Sequence, residues 1–151
     1  MRLLPSQVMR ATRHHDISCG HRVYGHEGKC RNLHGHNYRV HFTLVAEKLD
    51  SVGRVLDFSV IKSKLCDWLE THWDHKMLLW EKDPIVTELD ESLHVDCRSI
   101  VVLPFNPTAE NLAKYLVEVI APNQLRDTGT RLVKVVVEET RKCSAEYEVT
   151  P

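Results

Sequence analysis

The clearest alternation of apolar and polar side chains runs from His36 to Glu47. Every second residue on one side of this segment is apolar: Tyr38, Val40, Phe42, Leu44 and Ala46. Successive side chains of a strand point to opposite faces, so the pattern predicts a strand with one buried face. Turn residues follow at 50–53, and residues 55–58 then predict a returning strand, which together give a β-hairpin with a long loop.

Two other segments have the spacing of amphipathic helices. Apolar residues recur at helical intervals from Ile61 to Leu69, which predicts a helix over residues 58–73. A second helix is predicted to begin at residues 106–108 and to end at Pro122. Both helices have one apolar stripe, so each is expected to pack against a sheet.

The remaining pattern completes an α+β prediction. Further strands are predicted over residues 14–24, 99–105, 132–140 and 145–149. Residues 1–13 are interpreted as an extended lead-in, and residues 76–98, rich in carboxylates, as a long excursion that could contain a short hairpin. Mostly antiparallel strands with two helices on one sheet face indicate a single α+β domain over residues 1–151.

The composition limits the kinds of binding partner and the cellular compartment that are expected for this protein. The net charge of −1 gives no broad basic face for nucleic acid, although one phosphorylated metabolite remains compatible with it. Five cysteines without a C-x-x-C pair are typical of reduced thiols in a cytosolic protein. The sequence has no apolar run near the roughly 20 residues of a membrane span. A cytoplasmic protein without membrane or nucleic-acid partners is expected.

Candidate metal ligands begin at the start of the best strand. His34 and His36 flank Gly35 and would share one face of a strand, and His21 lies upstream across a glycine-containing connection. Three imidazoles with an open fourth position are typical of a catalytic zinc site. The alternative is that these are hydrogen-bonded filler residues, since the chain has ten histidines and H-x-H occurs by chance.

A thiol is a candidate nucleophile or base, and an Asp-His pair is a candidate for proton transfer. Cys30 lies in a polar stretch between Lys29 and Arg31, where positive charge favours a reactive thiolate over a buried, inert thiol. Asp74 directly precedes His75, and an adjacent carboxylate can orient an imidazole for acid-base work. The pair alone is weak evidence, because such neighbours are common.

Two carboxylates are candidates for ligand binding. Glu139 has the same strand parity as Val137, so its side chain is predicted on the apolar side of the sheet, where a carboxylate needs a partner. It is either a salt-bridged core residue or a receptor for the paired N–H donors of an aminopyrimidinone ring. Glu110 is in the first turn of the second helix, where acids are also favoured by the helix dipole.

These residues, taken in order, resemble a known family. The matching segments are Cys30-x-x-x-His34-Gly35-His36-x-Tyr38, His21, Asp57-Phe58, Asp74-His75, Pro107-Thr108-Ala109-Glu110-Asn111 and Glu139-Thr140. From about Ile17 to the C-terminus the chain resembles the 6-pyruvoyl-tetrahydropterin synthase / 6-carboxy-tetrahydropterin synthase family. The ordered set is far more specific than any one of its motifs.

The resemblance implies a tunnelling fold (T-fold). This is an antiparallel four-stranded sheet with two helices on one face, and its subunits assemble into barrels, commonly as homohexamers with active sites between subunits. The resemblance also implies site roles. Zinc would be held by His21, His34 and His36; Cys30 would be the general base, with Asp74 and His75 as its acid partner; Glu139 would anchor the pterin, and Thr108 and Glu110 would line its pocket.

Spacing separates the branches of this family. Three residues lie between Cys30 and His34, as in the 6-carboxy-tetrahydropterin type, whereas the tetrahydrobiopterin type has more. The resemblance therefore implies a zinc-dependent lyase that converts 7,8-dihydroneopterin triphosphate to 6-carboxy-5,6,7,8-tetrahydropterin, releasing acetaldehyde and triphosphate, in queuosine and 7-deazapurine biosynthesis. The alternatives are a 6-pyruvoyl-tetrahydropterin synthase, a non-catalytic zinc-stabilised scaffold, and a zinc hydrolase, which would leave Cys30 unexplained.

Overall fold

Six strands form one mixed sheet in the computed structural model, which describes residue 2, residues 7–92 and residues 97–151. The strands are β1 (Ala11–His21), β2 (His34–Ala46), β3 (Met77–Trp80), β4 (Ile100–Leu103), β5 (Thr130–Glu138) and β6 (Ser144–Glu148). Their order across the sheet is β4-β3-β1-β2-β5-β6. The strands β1, β2, β5 and β6 pair antiparallel, whereas β3 pairs parallel with both β1 and β4.

Within the described residues, three helices accompany the sheet. Helix α1 consists of Phe58–Ile61, a π-helical segment Lys62–Cys66, and Asp67–His72; α2 is Ile85–Ser92; α3 consists of Ala109–Tyr115, a π-helical segment Leu116–Ile120, and Ala121–Gln124. Short 3-10 turns are formed by Lys29–Arg31 and Cys97–Ser99. The two long helices occur where the apolar periodicity predicts them.

Both long helices cover the same face of the sheet. The buried side chains of β2, among them Tyr38 and Phe42, belong to one core cluster that also contains Leu69 of α1 and Leu112 of α3. The alternation predicted for β2 is therefore confirmed, with both helices on its apolar side. The expected four-stranded antiparallel sheet is wrong, because β3 and β4 extend it to six strands and add parallel pairing.

The sequence pattern did not predict strand β3, because this strand is buried on both faces. Leu78 and Leu79 are consecutive and both fully buried, so the segment has no polar alternation. The expected hairpin within residues 76–98 is replaced by β3 and helix α2, and residues 93–96 of that excursion lie outside the described residues. Strand β4 lies within the predicted range 99–105.

The predicted hairpin return at residues 55–58 is also wrong. Strand β2 pairs instead with β1 and β5. The Asp50 carboxylate accepts hydrogen bonds from the backbone N–H groups of Val52 and Arg54, which closes a turn. The Asp57 carboxylate then accepts from Ser59 N at 2.8 Å and caps helix α1, which begins at Phe58 as predicted.

Two predicted boundaries also move. Strand β1 begins at Ala11 and ends at His21, so part of the expected lead-in belongs to the sheet. Helix α3 continues to Gln124 instead of ending at Pro122. Pro122 lies two residues after the π-helical segment Leu116–Ile120, inside this helix.

A buried ion pair ties the residue after β1 to helix α2. The Asp83 side chain is 1% exposed; it accepts a hydrogen bond from Arg22 Nε at 2.6 Å and a second, shorter one from the same guanidinium. Its Oδ1 also accepts from Ile85 N at 3.0 Å, at the start of α2. Burial would raise the pKa of Asp83, but these hydrogen bonds outweigh it, and the pKa lies below its ordinary value.

Replacing Arg22 by Met should destabilise the protein, since the substitution leaves the Asp83 carboxylate buried without its cation. Removing one member of a buried pair costs about 3–5 kcal/mol, which urea unfolding at neutral pH measures directly. The matched control is Arg54→Met, because Arg54 pairs with Asp50 on the exposed surface and should contribute far less. Equal effects of the two substitutions would contradict a structural role for the Arg22 pair.

Candidate active site

Strand register brings three imidazoles together. In the antiparallel pairing of β1 with β2, His21 lies opposite His34, and Cys19 lies opposite His36. The ring centroids of His21 are 4.6 Å from His34 and 5.1 Å from His36, and those of His34 and His36 are 4.9 Å apart. One ring nitrogen from each residue can lie within 4.8 Å of the others, which is close enough to share a metal ion.

Backbone carbonyls orient two of these rings. His21 Nδ1 lies 2.7 Å from Pro107 O, and His34 Nδ1 lies 2.7 Å from Asn32 O. A carbonyl only accepts, so each Nδ1 carries the proton and donates it, which leaves the Nε2 lone pair free. Metal-bound histidines are commonly held in this way by a hydrogen bond from their second nitrogen.

Burial leaves two imidazole nitrogens without a partner. Among the described residues, His21 Nε2 and His36 Nε2 are buried and make no hydrogen bond. Burial lowers the pKa of His21 to about 4 and also lowers that of His36, so both rings are neutral at pH 7. Neutral, converging and unpaired imidazole nitrogens are the donor set that zinc prefers. These residues therefore fit a metal ion.

Glu139 lies beside the histidines, just after the end of β5. Its carboxylate oxygens are 3.8 Å from His21 Nε2 and 3.9 Å from His36 Nε2, and its side chain is 25% exposed. Parity with Val137 predicted that this carboxylate would point to the apolar side of the sheet and would need a partner. The structure places it next to two imidazoles, in a cavity wall that is open to solvent.

Most of the predicted pocket residues line one small cavity beside Glu139. Its volume is about 250 Å³, and its walls include Cys30, Thr108, Glu110 and Glu139. Cys30 lies in the 3-10 turn Lys29–Arg31, and Thr108 Oγ1 accepts a hydrogen bond from Asn111 N as the N-cap of α3. The cavity therefore joins the loop after β1 to the start of α3.

Two titratable residues that sequence reasoning did not assign to the site also line this cavity. They are His26 and Cys143. The only signal for His26 was its position in the loop between His21 and Cys30, and nothing in the sequence relates Cys143 to residues so far upstream. Cys143 lies in the turn after Glu139, where Cys143 O accepts a hydrogen bond from Glu139 N at 3.1 Å.

Asp74 and His75 form a hydrogen-bonded pair between helix α1 and strand β3, next to Ser18 of β1. Asp74 Oδ2 lies 2.7 Å from His75 Nδ1, and Asp74 Oδ1 accepts from Ser18 N at 2.9 Å. Burial opposes ionisation of Asp74, but the hydrogen bonds from Ser18 and His75 outweigh it and lower its pKa. His75 has a positive φ of 59°, its N–H donates to Ser18 O, and its side chain is 80% exposed.

The Asp-His pair and Cys30 line different cavities of the chain. Asp74 and His75 line a larger one, of about 980 Å³, which also includes His36 and Glu139. Glu139 is thus common to both cavities. The structure brings the three histidines and the carboxylate together but does not place Cys30 in the cavity of His75.

Cys19 is the second thiol near the histidines. It is buried, and burial raises its pKa to about 12, so it remains a protonated thiol at neutral pH. Among the described residues, the group that could hold a metal ion consists of the three histidines and does not include Cys19.

In the described ranges, the helices are all too short or too polar to cross a bilayer.

The fold and the sequence both match proteins of known class. A family model described as 6-pyruvoyl tetrahydropterin synthase matches residues 10–150. A 6-carboxy-5,6,7,8-tetrahydropterin synthase from Rickettsia typhi is 34% identical over 139 residues, covering 92% of this chain and 99% of the relative. A probable enzyme of the same name from Halobacterium salinarum is 34% identical, covering 85% of this chain and 79% of the relative.

Two solved structures with similar folds support the same family. A crystal structure of an uncharacterized protein from Wolinella succinogenes superposes with a TM-score of 0.81 at 25% identity, covering 96% of this chain and all of that one. The 6-pyruvoyl tetrahydropterin synthase of Caenorhabditis elegans superposes with a TM-score of 0.66 at 25% identity, covering 99% of each chain. The fold is therefore that of the pterin synthases. The chain belongs to the 6-pyruvoyl tetrahydropterin synthase family.

Replacing any one of His21, His34 or His36 by Ala should abolish stable zinc binding, because each supplies one of three converging nitrogens. Metal content after dialysis, measured by plasma mass spectrometry, tests this. His72→Ala is the matched control, since His72 is an exposed residue at the end of α1. Zinc retained at the wild-type level in the His36→Ala protein would contradict the assignment.

Proposed function

We propose that this chain is a zinc-dependent 6-carboxy-5,6,7,8-tetrahydropterin synthase that acts on 7,8-dihydroneopterin triphosphate and releases acetaldehyde and triphosphate. The observation that carries the proposal is the cluster of His21, His34 and His36 beside a cavity lined by Cys30 and Glu139. The names of the relatives and the three-residue spacing between Cys30 and His34 favour this branch.

Each part of the site has a proposed task. The three histidines would hold zinc, which when bound supplies Lewis-acid polarisation of substrate oxygens. The Glu139 carboxylate would accept the paired N–H donors of the pterin ring, since a carboxylate offers two acceptor oxygens side by side. Thr108 and Glu110 line the same cavity and would bound the ring on the side of helix α3.

Proton transfer is assigned to Cys30 and to the Asp74–His75 pair. Cys30 would take a proton from a side-chain carbon of the substrate as general base. His75 would supply or relay a proton, while Asp74, anchored by Ser18 N, fixes the orientation of its ring. The high exposure of His75 leaves it accessible to a substrate held largely by other residues.

We further propose that the active sites lie between the subunits of a homohexamer in the cytoplasm. Cys30 and His75 line separate cavities of one chain, so a second copy could bring its own pair to the thiol. Strands β4 and β6 are the outer strands of the sheet, and outer strands offer backbone groups for pairing with another chain. The product would enter queuosine and 7-deazapurine biosynthesis.

The second candidate is 6-pyruvoyl-tetrahydropterin synthase, which eliminates triphosphate without losing two carbons. The description of the family model and the Caenorhabditis elegans structure favour it. A non-catalytic scaffold is disfavoured by the retained Cys30 and Asp74–His75 pair. The two enzymes share a substrate and differ in products, so a product assay separates them.

Incubation of the zinc-loaded protein with 7,8-dihydroneopterin triphosphate should release acetaldehyde and triphosphate together, because the proposed reaction breaks a carbon–carbon bond as well as a carbon–oxygen bond. Derivatised acetaldehyde is measured by chromatography, and the pterin product by mass spectrometry. Release of triphosphate without acetaldehyde would assign the chain to the pyruvoyl type. Loss of neither group would disprove both enzyme assignments.

Cys30→Ala should retain zinc and assembly but lose turnover, because the thiol is proposed to transfer a proton and not to bind the metal. A general acid-base group is worth about 100- to 10,000-fold in rate, so kcat should fall within that range. Cys66→Ala, in the buried face of α1, is the control thiol and should keep kcat. An unchanged rate in the Cys30→Ala enzyme would disprove the role of the thiol.

A further inference from the structure

The loop that carries Cys30 is closed by its own backbone. Val23 N donates to Cys30 O at 2.8 Å, and His26 N donates to Val23 O at 3.1 Å. Arg31 N then donates to Gly28 O at 3.3 Å, which forms the 3-10 turn around Cys30. One side chain completes this ring of contacts: His26 Nδ1 accepts a hydrogen bond from Gly28 N at 2.7 Å.

The contact between His26 and Gly28 depends on close approach. A Cβ atom on Gly28 would lie 3.2 Å from His26 Cε1 and 3.4 Å from Nδ1, so the ring rests against a backbone that has no side chain. The Glu27 carboxylate is 3.9 Å from the same nitrogen, which is too far for a hydrogen bond, and its side chain is 93% exposed. The backbone N–H of Gly28 is therefore the partner that fixes the ring.

The hydrogen bond also sets the tautomer of His26. A backbone N–H only donates, so Nδ1 is an acceptor and the ring proton lies on Nε2. The His26 ring lines the same cavity as Cys30 and Glu139. Two functions could thus reside in one ring: an acceptor at Nδ1 that shapes the turn, and a donor at Nε2.

We propose that His26 is a positioning residue for Cys30, acting through the Nδ1 acceptor that fixes the Gly28–Arg31 turn. The inference rests on the proposed role of Cys30 in proton transfer. Without this hydrogen bond, Gly28 N loses its partner and the turn that sets the direction of the thiol is no longer held at its N-terminal end. The Nε2–H donor is not required for this function.

Two substitutions separate the acceptor from the donor. His26→Asn retains an acceptor oxygen at the δ position and lacks a donor at the ε position, whereas His26→Gln retains a donor at the ε position and loses the δ acceptor. We expect the Asn variant to keep a kcat close to that of the wild type. The Gln variant should lose about 100-fold in kcat with little change in KM, since misplacing a catalytic group by about 1 Å costs that much.

The reactivity of Cys30 provides a readout without substrate. Alkylation by iodoacetamide, followed at Cys30 by peptide mass spectrometry, should proceed at the wild-type rate in the Asn variant and faster in the Gln variant, whose thiol is less confined. The matched pair His14→Asn and His14→Gln, at an exposed position of β1, controls for general effects of the substitutions. Zinc content should be unchanged in all four proteins.

The outcomes distinguish the proposals. The positioning role would be overturned if the Gln variant kept both the wild-type kcat and the wild-type alkylation rate. It would also be overturned if the Asn variant lost kcat and its Cys30 no longer reacted at the wild-type rate. The reverse pattern, with Gln active and Asn inactive, would also overturn it, because it would require the Nε2–H donor. If the wild type turned over no pterin, the proposed function would fail, but the alkylation rates would still test whether His26 holds Cys30.

Discussion

The pairing register between β1 and β2 sets the geometry on which the candidate site depends. His21 and His34 face each other across two adjacent strands, and His36 follows on the same face, so a shift of one residue would send one histidine set to the opposite side. The register is fixed by burial along the remainder of β2, where Tyr38, Val40 and Phe42 enter the core. The hydrophobic core thus positions the three imidazoles of the candidate metal site.

Two backbone carbonyls support the imidazoles of the site. Carbonyl oxygens of Pro107 and Asn32 orient the rings of His21 and His34, and both carbonyls belong to connections between elements. Asn32 lies two residues before β2, and Pro107 directly precedes Thr108, the N-cap of α3, so both carbonyls lie next to a regular element. This arrangement also explains why the cavity beside Glu139 is built from segments that are far apart in the sequence.

Much of the fold and part of the candidate site could be predicted from the local pattern of apolar and polar residues. The face of β2, both long helices and the shared face of His34 and His36 follow from periods of two and of about 3.6 residues. The position of His21 opposite His34 depends on the pairing of β1 with β2. Local pattern could not reveal β3, since Leu78 and Leu79 are buried on both faces and alternation disappears. It also could not show that Glu139 faces imidazoles or that Cys30 and His75 line different cavities, because both depend on distant segments meeting in space.

The Arg22–Asp83 pair has a consequence for the modularity of the fold. Arg22 directly follows His21, while Asp83 precedes helix α2 in the excursion. Grafting a different excursion onto this scaffold would therefore leave the Arg22 guanidinium without its carboxylate, one residue from His21 of the candidate metal site. Arg22 and Asp83 should therefore be substituted together when the excursion is replaced, whether in evolution or in protein engineering.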